Sequence, residues 1–208
     1  MQSYLIHFIR HGAIEDTLKG KYIGRTDVEL SEKGRELLRE YDGRYIYPGT
    51  AVLFTSPLKR CVETARIIYP DIKPIVIDQL TECDFGEWEG KTADELRDDR
   101  EFTRWLAGEK GAKPPEGESG TEFAERICLV FEQIVEGLIK TNNTEAVIVT
   151  HGGVIMTLLS VYGLPKAKPF EWVMDNGFGY SARITPMLWQ RDKVMEVYRK
   201  IPVTDIEK

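Results

Sequence analysis

The sequence is poor in the residues that staple or anchor a chain. Three cysteines, Cys61, Cys83 and Cys128, stand far apart among 208 residues, with no CxxC pair. An odd, scattered set excludes a disulfide framework and reads as reduced, buried thiols of a cytoplasmic protein. No apolar run approaches the roughly 18 residues that would cross a bilayer. The opening MQSYLIHFIRHG lacks a basic leader and a cleavable apolar segment, so no secretory signal is expected. Basic residues are also in deficit: 28 Lys and Arg against 34 Asp and Glu leave a formal charge of −6. That balance argues against nucleic-acid or membrane-surface partners, yet permits a small anion in a locally basic cleft. Histidine is as scarce as cysteine, at His7, His11 and His151. The carboxylates around these histidines lack ligand spacing, so no metal is expected.

What is present is ordinary globular composition, 42 % hydrophobic and 30 % charged. A chain of this length buries roughly 70 % of its unfolded surface and needs no staple. SYLIHFIR, AVLFTS, KPIVID and EAVIVT read as strands. Helices are expected over LSEKGRELLREY, with Ser31 as N-cap, and over SPLKRCVETARIIY, with Ser56 as N-cap and Pro57 at the first helical position. A long helix should follow Ser119 and Glu122, which form a capping box; Phe123, Ile127, Val130, Phe131, Ile134 and Leu138 recur at helical spacing. GVIMTLLSVYG is a further helix ending at Gly163. FGYSARIT and KVMEVYR read as late strands, the second pairing with PMLWQ through the turn RDK. The charged, Gly/Pro-rich stretch at about 92–120 reads as short helices and a loop, a lid-like insertion. Alternating strands and helices predict one α/β domain over residues 1–208, a three-layer α/β/α arrangement with a mostly parallel central sheet.

Ligands of such sheets bind beyond the carboxyl ends of the strands. Three charged stretches fall there: RHG after the first strand, SPLKR after the second and THGG after the fourth. Taken singly each has a bland reading, but one pocket accounts for all three. Arg60 is informative, because a cation in a helix's first turn is unfavourable unless an anion is shared with the helix terminus. The chemistry that fits is phosphoryl transfer through a histidine: a neutral imidazole attacks phosphorus and splits one hard step into two. Arg10 and Arg60 would fork the equatorial oxygens. A second histidine beside the dianion would gain a proton. Gly12, Gly152 and Gly153 would let backbone N–H groups approach the oxygens. An acid is needed for the leaving alkoxide, and Glu82, after the third strand, can serve if its pKa is raised; Asp84, Glu87 and Glu89 are rivals by spacing. His7 reads as a core histidine, and Trp88 and Trp105 as packing rather than substrate contacts.

These residues resemble the histidine phosphatase superfamily, with its phosphoglycerate mutase-like fold. The resemblance rests on RHG at Arg10–Gly12, GRTDVELSEKG at Gly24–Gly34, SPLKRCVETA at Ser56–Ala65, ECDFGEWEG at Glu82–Gly90, PEGES at Pro115–Ser119 and VTHGG at Val149–Gly153. It implies that His11 becomes the phosphohistidine, that Arg10, Arg60 and His151 clamp the phosphoryl group, and that Glu82 is general acid, then base. It further implies phosphate contacts at Gly12, Thr17, Gly24 and Gly152, and neither metal nor cofactor. Within the superfamily the look is that of the α-ribazole phosphatases of cobalamin biosynthesis. Ala13 and Thr17 stand where many members carry an acidic residue and an Asn, and Thr17 offers only a hydroxyl. The implied function is a metal-independent phosphomonoesterase acting on a small phosphorylated metabolite such as α-ribazole 5′-phosphate. Phosphoglycerate mutase-type transfer and a non-catalytic phosphate-binding module are the alternatives. A homodimer is compatible with the sequence.

Overall fold

The computed structural model describes residues 2–204; Met1 and 205–208 lie outside it. Strand β1 (Tyr4–Arg10) opens the chain, followed by helix α1 (Glu32–Arg44), β2 (Val52–Thr55), α2 (Lys59–Ile68) and β3 (Ile75–Val76). Two short helices, α3 (Ala93–Leu96) and α4 (Arg100–Leu106), precede the long α5 (Gly120–Thr141). Then come β4 (Glu145–Thr150), α6 (Gly152–Tyr162), β5 (Gly163–Leu164), β6 (Gly179–Ile184), α7 (Pro186–Asp192) and β7 (Met195–Ile201). The strands form one seven-stranded sheet in the order β3-β2-β4-β1-β6-β7-β5. Pairs β3·β2, β2·β4, β4·β1 and β5·β7 are parallel, whereas β6 runs antiparallel to both its neighbours. The expected α/β class and mostly parallel sheet are therefore observed. No helix among the described residues is long and apolar enough to cross a membrane.

Strand alternation divides the core in two. Ile6, Phe8, Ala146 and Ile148 face α5, α6 and α7, whose Phe131, Ile155, Leu158 and Trp189 fill that side. Ile9, Val147 and Val149 face the other way, onto Leu38 of α1 and Cys61, Ala65 and Ile68 of α2. Period-two burial on buried strands, matched to helical stripes on both faces, produces the three layers. Ser31 caps α1 by accepting from the Gly34 N–H, and Ser119 and Glu122 close the expected capping box on α5.

Three expected elements differ. Helix α2 begins at Lys59, because Leu58 stays extended; Asp27 Oδ1, not Ser56, accepts the first N–H, at 2.7 Å from Lys59 N. PMLWQ is helix α7, not a strand: Pro186 occupies the first turn, a helix-start position, and Trp189 is buried against Phe131 and Tyr162. Strand β7 pairs directly with β6 instead. The third strand shrinks to two exposed residues at the sheet edge.

Helix α1 is docked beneath the loop that leaves β1. Ser31 N donates to the Ala13 carbonyl at 3.0 Å, and a Cβ at Gly34 would collide with that same carbonyl. Gly43, in the same helix, is exposed with nothing near it. Alanine in place of glycine in a helix ordinarily stabilises by about 0.4–1 kcal/mol. We expect Gly43→Ala to do so, and Gly34→Ala to destabilise by about 1–3 kcal/mol through overpacking. Urea midpoints at constant m-value check the opposite signs.

Candidate active site

Adjacent parallel strands bring the distant motifs together. In the β1·β4 register Arg10 lies beside Thr150, and His11 N donates to the Thr150 carbonyl at 2.9 Å. The next residues, His11 and His151, are thereby neighbours: their rings meet edge-on, centroids 5.3 Å apart. On the other side of β4, Ser56 N donates to the Val149 carbonyl, so the SPLKR motif starts from the same sheet edge.

His11 Nδ1–H donates to the Gly12 carbonyl at 2.7 Å. A carbonyl only accepts, so this bond fixes the proton on Nδ1 and leaves the Nε2 lone pair for attack. Burial, with Arg60 and Arg10 adding like charge, pulls His11 down to about 3. The ring is therefore neutral, the nucleophilic form. His151 is wholly buried and held well below its ordinary value by burial, then by His11 and Arg60. It sits behind His11 and is not on the cavity wall. Its Nε2 shares a 2.8 Å hydrogen bond with Ser56 Oγ and lies 3.5 Å from Cys61 Sγ. The expected clamp is thus one layer deeper than the sequence suggests, because Ser56 and Cys61 enclose the ring.

Arg60, 1 % exposed, donates through Nη1 to the Thr26 carbonyl and through Nη2 to the Gly24 carbonyl, at 2.8 and 2.6 Å. Arg10 Nη1 donates to the Met174 carbonyl at 2.9 Å. Five buried side-chain polar atoms among the described residues lack a partner, and two of them are Nε of Arg10 and Nε of Arg60. A buried cationic N–H without an acceptor is costly, and both belong to side chains lining one cavity. Both guanidiniums therefore keep donor capacity that no protein group among the described residues uses.

Glu82 lines the same cavity. Its Oε1 accepts from Cys83 N at 3.1 Å and its Oε2 from Gly153 N at 2.9 Å. Burial raises its pKa, opposed by the Gly153 and Cys83 N–H groups and by Arg60 and Arg10. Its rivals have other duties. Glu89 accepts from the N–H groups of Gly24, Arg25 and Thr26 and so fixes the loop whose carbonyls hold Arg60. Asp84 Oδ1 accepts from Gly86 N, and Glu87 is exposed.

Several expected phosphate contacts are corrected. Gly12 N donates to Thr64 Oγ1, and its lack of a side chain makes room for Leu38, 2.7 Å from where a Cβ would stand. Gly24 N is taken by Glu89. Gly153 N serves Glu82, and a Cβ there would strike that carboxylate. Thr17 is exposed in the 3₁₀ turn Asp16–Leu18, whose other two residues line the cavity in its place. Gly152 does line the cavity as the first residue of α6, where helix N–H groups have no intrahelical partner.

The cavity, about 690 Å³, also has walls the sequence did not announce. Asn176 Nδ2 donates to the His11 and Gly12 carbonyls, and Met174 holds Arg10. Their loop precedes β6, which runs antiparallel to β1, so it must lie beyond the β1 carboxyl end. The Asn-Gly turn at 176–177 was the only local signal. The remaining wall comes from Ile14 to Ile23, with Glu15, Asp16, Lys19 and Lys21 at charged positions, and from Phe85, Met156 and Val173. No residue of 92–120 lines it. Leu96, Phe102 and Trp105 pack with Trp88 behind Tyr22 and Phe85, so the segment expected to be a lid buttresses the wall. His7, as expected, is a core residue, hydrogen-bonded to Ser181 Oγ and Glu145.

The fold superposes on the crystal structure of the α-ribazole phosphatase of Shigella flexneri with a TM-score of 0.76, at 22 % identity over 95 % of this chain and 96 % of that one. By sequence, the chain is 36 % identical over 169 residues, 74 % of each protein, to 2,3-bisphosphoglycerate-dependent phosphoglycerate mutase 2 of Gloeobacter violaceus. It is 25 % identical over 175 residues, 81 % of this chain and 85 % of the relative, to the adenosylcobalamin/alpha-ribazole phosphatase of Salmonella typhimurium. The family description "Histidine phosphatase superfamily (branch 1)" matches residues 6–194. A buried histidine pair at adjacent strand ends, two guanidiniums with unpaired Nε–H groups and a sequence match over nearly the whole chain make this protein a member of the histidine phosphatase superfamily.

Proposed function

We propose that the protein is a phosphomonoesterase that works through a phosphohistidine at His11. The observation that carries this reading is the pairing, on one cavity wall, of a neutral imidazole with its Nε2 lone pair free and a carboxyl biased toward its protonated form. His11 Nε2 attacks phosphorus, the P–O ester bond breaks, and the Glu82 proton passes to the leaving oxygen. Glu82, now a carboxylate, takes a proton from water; the hydroxide oxygen attacks phosphorus, the P–N bond breaks and His11 is regenerated. Arg10 and Arg60 neutralise the equatorial oxygens through both steps. A binding module has no use for a buried acid beside the nucleophile.

The leaving group is an organic alcohol of some size. A cavity of about 690 Å³ exceeds what a three-carbon phosphate fills, and much of its wall is apolar: Ile14, Tyr22, Phe85, Met156, Val173. Glu15 and Asp16 at that wall oppose a polyanionic substrate such as a phosphoglycerate. These features favour a nucleotide-like monoester, for which α-ribazole 5′-phosphate is a fitting example. The mutase reading draws on the Gloeobacter violaceus relative. A substrate panel with chelator present tests both: released phosphate supports the phosphatase, and isomerised product with none released supports the mutase.

Two further outcomes are expected. Glu82→Gln lowers kcat/KM, which reports the phosphoryl-transfer step, by about 100-fold or more on alkyl esters, yet spares kcat/KM for p-nitrophenyl phosphate, whose leaving group needs little protonation. An equal fall in kcat/KM for both esters would remove Glu82 as the acid. Because His11 is pulled down to about 3, its neutral form persists as pH falls from 7 to 5. After correction for ester ionisation, kcat/KM for p-nitrophenyl phosphate should show no loss in that window; a limb near the ordinary imidazole value of about 6.5 would contradict it.

A further inference from the structure

Glu82 stands in backbone that no sheet or helix holds. Strand β3 ends at Val76, a 3₁₀ turn covers Asp78–Leu80, and the next, Gly86–Trp88, begins after the acid. A general acid must nevertheless keep its proton within hydrogen-bond reach of one leaving oxygen.

The holding comes from helix α5. Arg126 Nη1 donates to the Gln79 carbonyl at 2.6 Å and the Thr81 carbonyl at 3.1 Å, and Nη2 donates to the Glu82 carbonyl at 3.2 Å. Its Nε and the second Nη2 hydrogen go to Glu118, both at 2.8 Å. These bonds use all the donors a guanidinium has. Glu118 grips the downstream side: Oε2 accepts from Asp84 N at 3.2 Å, and Glu118 N donates to the Asp84 carbonyl at 2.9 Å. The two side chains are 17 % and 11 % exposed, too buried to be an ordinary surface ion pair. The PEGES motif, which the mechanism left unused, thus supplies one half of a bracket around the acid, and Arg126 of the long helix the other.

We infer that Arg126 and Glu118 are a positioning pair that fixes the turn 79–84 and so aims the Glu82 carboxyl at the leaving oxygen, an inference resting on Glu82 being the proton donor. Neither residue lines the cavity, so neither touches substrate. Their effect falls on the steps in which Glu82 moves a proton, and in phosphoryl transfer it depends on the leaving group.

The test compares kcat/KM, which reports the phosphoryl-transfer step alone, on the best alkyl phosphate of the panel with kcat/KM on p-nitrophenyl phosphate. Arg126→Met puts an apolar side chain beside the Phe123 ring, over which the guanidinium lies, and removes the donors. It is expected to slow the alkyl ester by roughly 10- to 100-fold and p-nitrophenyl phosphate by less than about 3-fold, since only the first requires an aimed acid. Arg126→Met/Glu118→Gln removes the stranded carboxylate and should show the same split at an unchanged folded fraction by circular dichroism. Arg126→Lys retains a cation, should recover part of the alkyl rate, and decides the matter if the methionine variants fold poorly. Equal slowing of both esters, or no slowing of either, in a folded variant overturns the inference. Wild-type protein that releases phosphate from no ester overturns the function itself, and the positioning role with it.

Discussion

The site depends on the parallel pairing of β1 with β4. With Arg10 set beside Thr150, the residues that follow are forced side by side at the sheet's carboxyl edge, and both are histidines. That edge is the floor of a buried space that also receives two guanidiniums. Desolvation and like charge act in one direction on the imidazoles, so both remain neutral. An isolated histidine in water would be half protonated near its ordinary value of about 6.5 and a poorer nucleophile below it. Burying the pair among fixed cations both prepares the attacking lone pair and builds the field that receives the phosphoryl charge.

The remaining groups reach this floor by two different routes. His11, His151 and Ser56 extend directly from ladder-bonded strands, so the sheet sets their positions. Arg60 and Glu82 depend on irregular backbone, and each is secured by a carboxylate outside the cavity. Glu89 gathers the three successive N–H groups of 24–26, and their turn presents two carbonyls to Arg60. Glu118, with Arg126, does the corresponding work for the turn of Glu82. The acidic residues that crowd ECDFGEWEG and PEGES are therefore not redundant acids. Glu82 faces the cavity, and Glu89 and Glu118 fold the loops that place it and its cationic partner.

This explains what could be read from the residues and what could not. Strand ends followed by RHG, SPLKR and THGG are local patterns, and a parallel sheet can only gather them along one edge; so His11, Arg10, Arg60 and His151 were legible. Glu82 was legible as a type of residue after a strand, but its rivals were separable only once hydrogen-bond partners were known. The glycines misled for one reason: a small residue beside a histidine signals close approach without saying what approaches. At Gly12 it is Leu38, and at Gly153 it is the acid itself. Asn176 and Met174 were invisible because their place follows from β6 running antiparallel to β1, a pairing that no periodicity in FGYSARIT encodes. PMLWQ is a short apolar run of the kind a strand offers, but the proline in its first turn and the burial of Trp189 against α5 and α6 residues make it a helix.

The charge layout bears on what the cavity admits. The protein is acidic overall at −6, yet its floor holds two buried cations whose Nε–H groups have no protein acceptor. A low-dielectric floor of this kind dominates the local potential, because buried charges are little screened while exposed carboxylates are. Glu15 and Asp16 are followed by Lys19 and Lys21 along the same stretch of wall, so that stretch carries charge of both signs. Ile14, Tyr22 and Met156 line the same cavity with apolar surface, from which a bound organic group would exclude water. The phosphatase proposed above thus relies on one local concentration of buried positive charge, in a cavity whose other walls are apolar or carry charge of both signs.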